Sequence, residues 1–218
     1  MKWCCCLLLV AASALHAQGV SGSDPSFLLE GAYSQVGKTV TYDGAYRRIG
    51  YPGGDVPLDR GVCTDVLIRA YRHAGIDLQV IVHEDMVRDF HAYPRIWGAA
   101  RPDSNIDHRR VPNLITYLAR HGTTLAISAR ANDYAPGDIV SWRLASGVPH
   151  IGLVSHRRAG ERYMVVHNIG EGTKIEDVLF EYEITGHFRY GRNAPDPSIE
   201  RTPSSRLRLP TITAHVER

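Results

Sequence analysis

Arg60-Gly61-Val62-Cys63-Thr64-Asp65-Val66-Leu67-Ile68-Arg69-Ala70-Tyr71-Arg72 is the stretch on which the reading of this chain turns. It follows turn-forming sequence, Tyr51-Pro52-Gly53-Gly54-Asp55 and then Asp59 to Gly61, and its apolar residues recur with helical spacing. A helix that starts near Cys63 places Cys63, Val66, Leu67, Ala70 and Ala74 on one face and turns Asp65, Arg69 and Arg72 to water. The thiol then sits in the first turn, where the positive end of the helix dipole favours the thiolate. That is a setting for a nucleophile. The competing reading is that Cys63 is a small buried hydrophobe, as most free cysteines are.

The rest of the composition sharpens the choice. Lys2, an apolar run from Cys4 to Leu15, and Ala14 and Ala17 three apart describe a secretory signal over residues 1–17, cleaved before Gln18. The run is too short to span a bilayer, so no membrane association is expected after cleavage, and the mature chain is expected in the periplasm or outside the cell. Three of the four cysteines lie in that signal, which leaves Cys63 alone in the remainder. An unpaired cysteine in an oxidising compartment points to a reactive role, with an intermolecular disulfide as the alternative. The net charge of +2, with acidic and basic residues interspersed, excludes a nucleic-acid-binding surface of the usual basic kind.

In chain order, residues 18–41 read as a polar leader followed by one or two helices broken at Gly37, and 42–193 as one domain. The Cys63 helix ends at Gly75, a short helix covers His83 to Phe90, and Val111 to His121 forms another, stopped by Gly122. From Ala135 the period changes to that of strands: Ile139–Trp142, His150–Ser155 and Tyr163–Asn168, an antiparallel meander. A further strand falls at Phe180–Ile184 or His187–Tyr190, and residues 194–218 read as a loose Pro-, Ser- and Arg-rich tail.

A hairpin centred on Arg158-Ala159 sets His150 directly opposite His167, two imidazoles on one sheet face. Such a pair could ligate a metal, though no third ligand of comparable support accompanies it, or line a wet edge. The third reading joins the pair to Cys63: His150 takes the thiol proton and His167 fixes the tautomer and orientation of His150. With nucleophile on a helix start and base and orienter on the facing sheet, Cys63 sulfur is expected within about 4 Å of a His150 ring nitrogen.

Gly137-Asp138-Ile139-Val140-Ser141-Trp142, His150-Ile151-Gly152-Leu153-Val154-Ser155 and Val165-Val166-His167-Asn168 together resemble the sheet of NlpC/P60-type papain-like cysteine peptidases. More closely, Tyr42-Asp43-Gly44, Tyr51 to Pro57, Gly61 to Asp65, Val82 to Met86, Asn105 to Leu114 and His167 to Gly170 resemble the DUF1287 family of exported bacterial proteins, across Tyr42 to Tyr190. The resemblance implies an α+β papain-like fold, with a nucleophile-bearing helix packed on an antiparallel sheet. Its chemistry is that of a cysteine hydrolase with Cys63, His150 and His167 as catalytic residues, needing neither metal nor cofactor. The acidic residue that NlpC/P60 enzymes place before the nucleophile is Val62 here. An exported enzyme of this kind meets peptidoglycan peptides first, so amide bonds in those peptides are the expected substrate. The alternatives are a glycan–peptide amidase, an acyltransferase, or a wall-binding module with no activity. Tyr42, Asp43, Asp107, His108 and Arg109 are the expected substrate-binding residues, with hydrogen bonds that stabilise loops as their other use.

Overall fold

The computed structural model describes residues 25–191; the expected signal and C-terminal tail lie outside them. Four helices, α1 (Pro25–Tyr33), α2 (Cys63–His73), α3 (Leu78–Arg88) and α4 (Val111–His121), accompany eight strands. Strands β1 (Thr41–Tyr42) and β2 (Arg60–Gly61) form a small parallel pair. The six others, β3 (Thr123–Thr124), β4 (Ile139–Arg143), β5 (Pro149–Ala159), β6 (Arg162–Asn168), β7 (Thr173–Glu176) and β8 (Glu183–Arg189), make one antiparallel sheet in the order β3-β8-β4-β5-β6-β7. The protein is α+β, and the helix that carries Cys63 packs on that sheet.

Strand alternation gives the sheet two apolar faces. Ile139, Ile151, Leu153 and Val166 pack beneath Cys63, Val66, Leu67 and Ala70 of α2 and Leu114 and Leu118 of α4. Val140, Trp142, Val154 and Val165 point the other way, under Tyr134, Val178 and Leu179. Burial of each large side chain contributes about 1.5–3 kcal/mol before entropy is counted.

Helix α2 is central rather than amphipathic at the surface: every residue from Cys63 to Tyr71 is buried. Asp65 and Arg69 were expected in water, and the structure buries both, at 2% and 8% exposure. The loops before α2 and before α4 cover its outer side, and each charge is paired. Arg109 grips Asp65 through Nε and Nη2 at 2.8 and 2.9 Å, and Arg69 holds Asp55 at 2.8 and 3.1 Å. A charge at such a depth is tolerated only with a partner.

Other boundaries follow local chemistry. Helix α4 has the expected limits and closes at Gly122. The helix expected from His83 instead starts at Leu78, because the Asp77 carboxylate caps it by accepting from Gln79 N. Past α2, Gly75 takes φ +82, the left-handed conformation expected of it. Strand β7 has no counterpart in the sequence reading; Gly170 and Gly172 before it obscured a four-residue strand.

The β5–β6 hairpin differs from expectation in register. Its turn is Gly160-Glu161, so Ala159 faces Arg162 and Arg158 faces Tyr163, and a bulge between Val154 and Arg158 then brings Leu153 to Val166. Carried onward, this sets Gly152 across from His167, with His150 on the diagonal. The slip is of two residues, and an even slip keeps side chains on their face.

Candidate active site

The imidazoles meet. His150 Nε2 lies 2.9 Å from His167 Nδ1, with ring centroids 5.1 Å apart at 72°, and both residues are buried, at 3% and 0% exposure. Gly152 permits this approach: a Cβ there would come within 2.7 Å of Val165 Cγ1 and 3.1 Å of His167 Cβ. His150 pairs across the sheet with Trp142, whose ring lies 5.7 Å away. Burial first, and then the neighbouring ring of His167, push the His150 pKa down to about 3, so the ring is neutral. His167 is also lowered, chiefly by burial.

Reading the sequence missed the next member of the chain, Glu176 on β7. Its Oε2 lies 3.0 Å from His167 Nε2. Glu176 belongs to the strand that escaped detection, and only the pairing of Val165 with Glu176 brings the carboxylate to the histidine.

Cys63 is the first residue of α2 and is 4% exposed. Val62 at the N-cap offers no side-chain acceptor; instead Asp65 reaches back and takes the Val62 N–H at 2.7 Å, which fixes the turn. The Ile151 backbone N–H is directed at the thiol, as are those of Cys63 and Thr64. Asn168, the neighbour of His167, donates from Nδ2 to Gly61 O at 3.1 Å and ties the same turn to the end of β6.

The expected contact between thiol and imidazole is not formed. No hydrogen bond joins Cys63 to either ring among the described residues. The physical reason is alternation. Ile151 points to the helices and packs with Cys63, whereas His150, one residue before it, points to the side of Trp142. The thiol therefore meets the backbone of the strand that carries the base, and not the base itself. Nor is the thiol acidified. Burial outweighs the three N–H groups and pushes its pKa up to about 12, against the expectation from the helix dipole.

The expected substrate-binding residues divide. Asp107, His108 and Arg109 form a buried 3-10 turn, at 2%, 1% and 7% exposure. Arg109 is spent on Asp65 and on the carbonyls of Asp43 and Ala45; Asp107 accepts from Asp103 N at 2.7 Å and lies 2.8 Å from His83 Nδ1. These ties carry the alternative use, loop stabilisation. Asp43 is engaged by Arg47 at 2.8 Å, which holds its carboxyl down to about 2. Tyr42 differs. It is half-exposed at 42%, and burial of its base, then the nearby Cys63 and Asp65, raise its hydroxyl to about 12. The phenol is therefore neutral, and Tyr42 pairs with Gly61, two residues before Cys63. Among the described residues no group of three or more His, Cys, Asp or Glu side chains is arranged to hold a metal ion.

The fold and the site define an α+β protein with a thiol at a helix start, the single cysteine among the described residues, and a carboxylate-backed imidazole pair on the adjoining sheet. The chain belongs to the DUF1287 family, a domain of unknown function, whose model matches residues 29–190. It is 54% identical over 164 residues to the uncharacterized protein YijF of Escherichia coli (strain K12), across 75% of this chain and 80% of that one. Among solved structures it is similar to a lipoprotein-like member of the NLP/P60 family from Staphylococcus aureus, at 13% identity and a TM-score of 0.39. That similarity covers 78% of this chain, which spans 44% of the length of the solved one.

Proposed function

We propose that the protein is an exported thiol hydrolase of amide bonds, acting on peptidoglycan peptides, with Cys63 as nucleophile, His150 as base and His167 as its orienter. The observation that carries the reading is the His150 Nε2 to His167 Nδ1 contact at 2.9 Å, one peptide away from the N–H directed at the Cys63 thiol. With Nε2 engaged, Nδ1 of His150 is the ring nitrogen left to take a proton. The resting thiol is protonated and lies on the helix side of β5, with His150 on the other, so the first step requires the start of β5 to shift until the thiol and that nitrogen meet. Sulfur then bonds to the carbonyl carbon as His150 gains the proton, and the backbone N–H of Cys63 receives the developing oxyanion. The C–N bond breaks, and the amine leaves with the proton from His150. Water attacks the thioester and gives a proton to His150; the S–C bond breaks, which releases the acid and restores the thiol. Tyr42 is exposed and pairs with Gly61, just before the Cys63 helix, where a substrate would pass. The choice of wall peptides rests on the secretory signal read in residues 1–17.

A second reading, a wall-binding module without activity, is favoured by one observation: the thiol is buried, its pKa is about 12, and no imidazole is bonded to it. Incubation of the protein and its Cys63→Ala variant with purified peptidoglycan, followed by mass spectrometry of the soluble products, separates the two. The hydrolase should release peptides with new amine and carboxyl ends, and the variant none. Retention of the protein on the wall with no product from either form would overturn hydrolysis and leave the binding module.

A further inference from the structure

We propose that Glu176 is a positioning residue that sets the protons of the imidazole pair so that the lone pair of His150 resides on Nδ1. The inference rests on the reading of His150 as base to Cys63. An ionised carboxylate only accepts hydrogen bonds. Glu176 Oε2 lies 3.0 Å from His167 Nε2 but off the line of a ring N–H bond, so it acts as a nearby charge: the favoured arrangement of His167 carries its proton on Nε2, since a bare nitrogen there would set a lone pair against the carboxylate. A neutral His167 has a single ring proton, so its Nδ1 is then bare and accepts. The partner at 2.9 Å, His150 Nε2, must donate. A neutral His150 that donates from Nε2 has no proton on Nδ1. One carboxylate thus specifies the proton at both rings and leaves a basic nitrogen at the far end.

The reverse arrangement satisfies the same 2.9 Å contact. His167 would donate from Nδ1, His150 would accept at Nε2, and the His150 proton would occupy Nδ1, where it blocks the base. The distance between the rings is indifferent to the two. Glu176 breaks the tie, and the charges around it do not cancel its effect. Glu181 favours a proton on His167 in the same sense, and Lys174, which pairs across the strand with His167, opposes both. Trp142 covers His150 without a charge.

Long-range ¹H–¹⁵N spectra of the imidazoles in the full chain read the tautomers directly. In the wild type both rings should show the Nε2–H form. Glu176→Leu removes the charge and should convert His150 to a mixture of the two forms, and Glu176→Gln, which keeps the shape without the charge, should do the same. Glu176 is 38% exposed on an edge strand, so neither variant removes a core residue. A wild type with His150 in the Nδ1–H form, or a Glu176→Leu spectrum unchanged from wild type, would overturn the proposal. On a substrate that the wild type cleaves, kcat of Glu176→Leu should fall by about tenfold or more with KM unchanged, because a base in the wrong tautomer loses turnover and not binding. The spectra can be repeated in Cys63→Ala protein, which turns nothing over. Correct tautomers without product would sink the hydrolase and spare the relay; product with indifferent tautomers would do the reverse.

Discussion

Cys63 is a contest between two effects of opposite sign. Its helix start and three N–H groups favour the anion, and its burial disfavours it more strongly. Free protein should therefore alkylate with iodoacetamide at pH 7 more slowly than a model thiol of pKa about 8.5, with the rate still rising above pH 9. A rate at pH 7 above that of the model thiol would mean that the helix end prevails over burial. The sequence revealed where the cysteine sits but not how deep. Depth depends on Ile151 and on the loop before α4, both far from Cys63 in sequence, as well as on the loop that leads into α2. Asp65 and Arg69 were misjudged for the same reason, since a carboxylate and a guanidinium read as surface residues until Arg109 and Asp55 are seen against them.

At the scale of elements, the β5–β6 hairpin shows what periodicity fixes and what it leaves free. Alternation placed His150 and His167 on one face, and no even slip could undo it; the turn position and the bulge after Val154 set the remaining offset, and neither has a strong sequence signal. Helix α4 was legible to the residue because a polar loop, Pro112 and Gly122 bracket it. The short β7, and Glu176 with it, was not, because four residues between glycines and an acidic turn carry no pattern. The same hairpin depends on Gly152. Gly152→Val would drive a branched side chain into Val165, Val166 O and His167, all within 3.1 Å of the first atom added. The expected cost is about 1–3 kcal/mol of stability, together with loss of the bond between the rings. Chemical denaturation checks the first and the imidazole spectra the second; wild-type values in both would show that β6 yields without harm.

The whole molecule carries an acid sensitivity that follows from its buried rings. His108 and His150 are each depressed to about 3, mainly by burial, and His108 Nδ1 has no partner to receive. Above about pH 6.5 both rings are neutral in folded and unfolded chains alike, and stability is unaffected. As pH falls from about 6.5 toward 3, the unfolded chain binds these protons and the folded one does not. Stability is then lost at about 1.4 kcal/mol per pH unit for each ring. Asp85 and Asp138, whose pKa values are lowered in the fold, act in the same direction at the acid end. Thermal midpoints should fall steeply between pH 6.5 and 4, and His108→Gln should make the fall shallower by one proton. A flat profile over that range would contradict the burial of these rings.

Asn168 is the immediate neighbour of His167 and holds the carbonyl of Gly61, two residues before the cysteine. Two successive residues at one strand end therefore grip two different halves of the site, like adjacent links of a chain fastened to separate gates. A fluctuation that lifts the start of α2 must pull on Asn168, and so on the peptide that carries the orienter. Backbone amides in the first turn of α2 and at the end of β6 should consequently exchange with solvent deuterium as one cooperative unit, with matching opening free energies. Asn168→Ala should split that unit in two, with the helix start opening more readily than the strand.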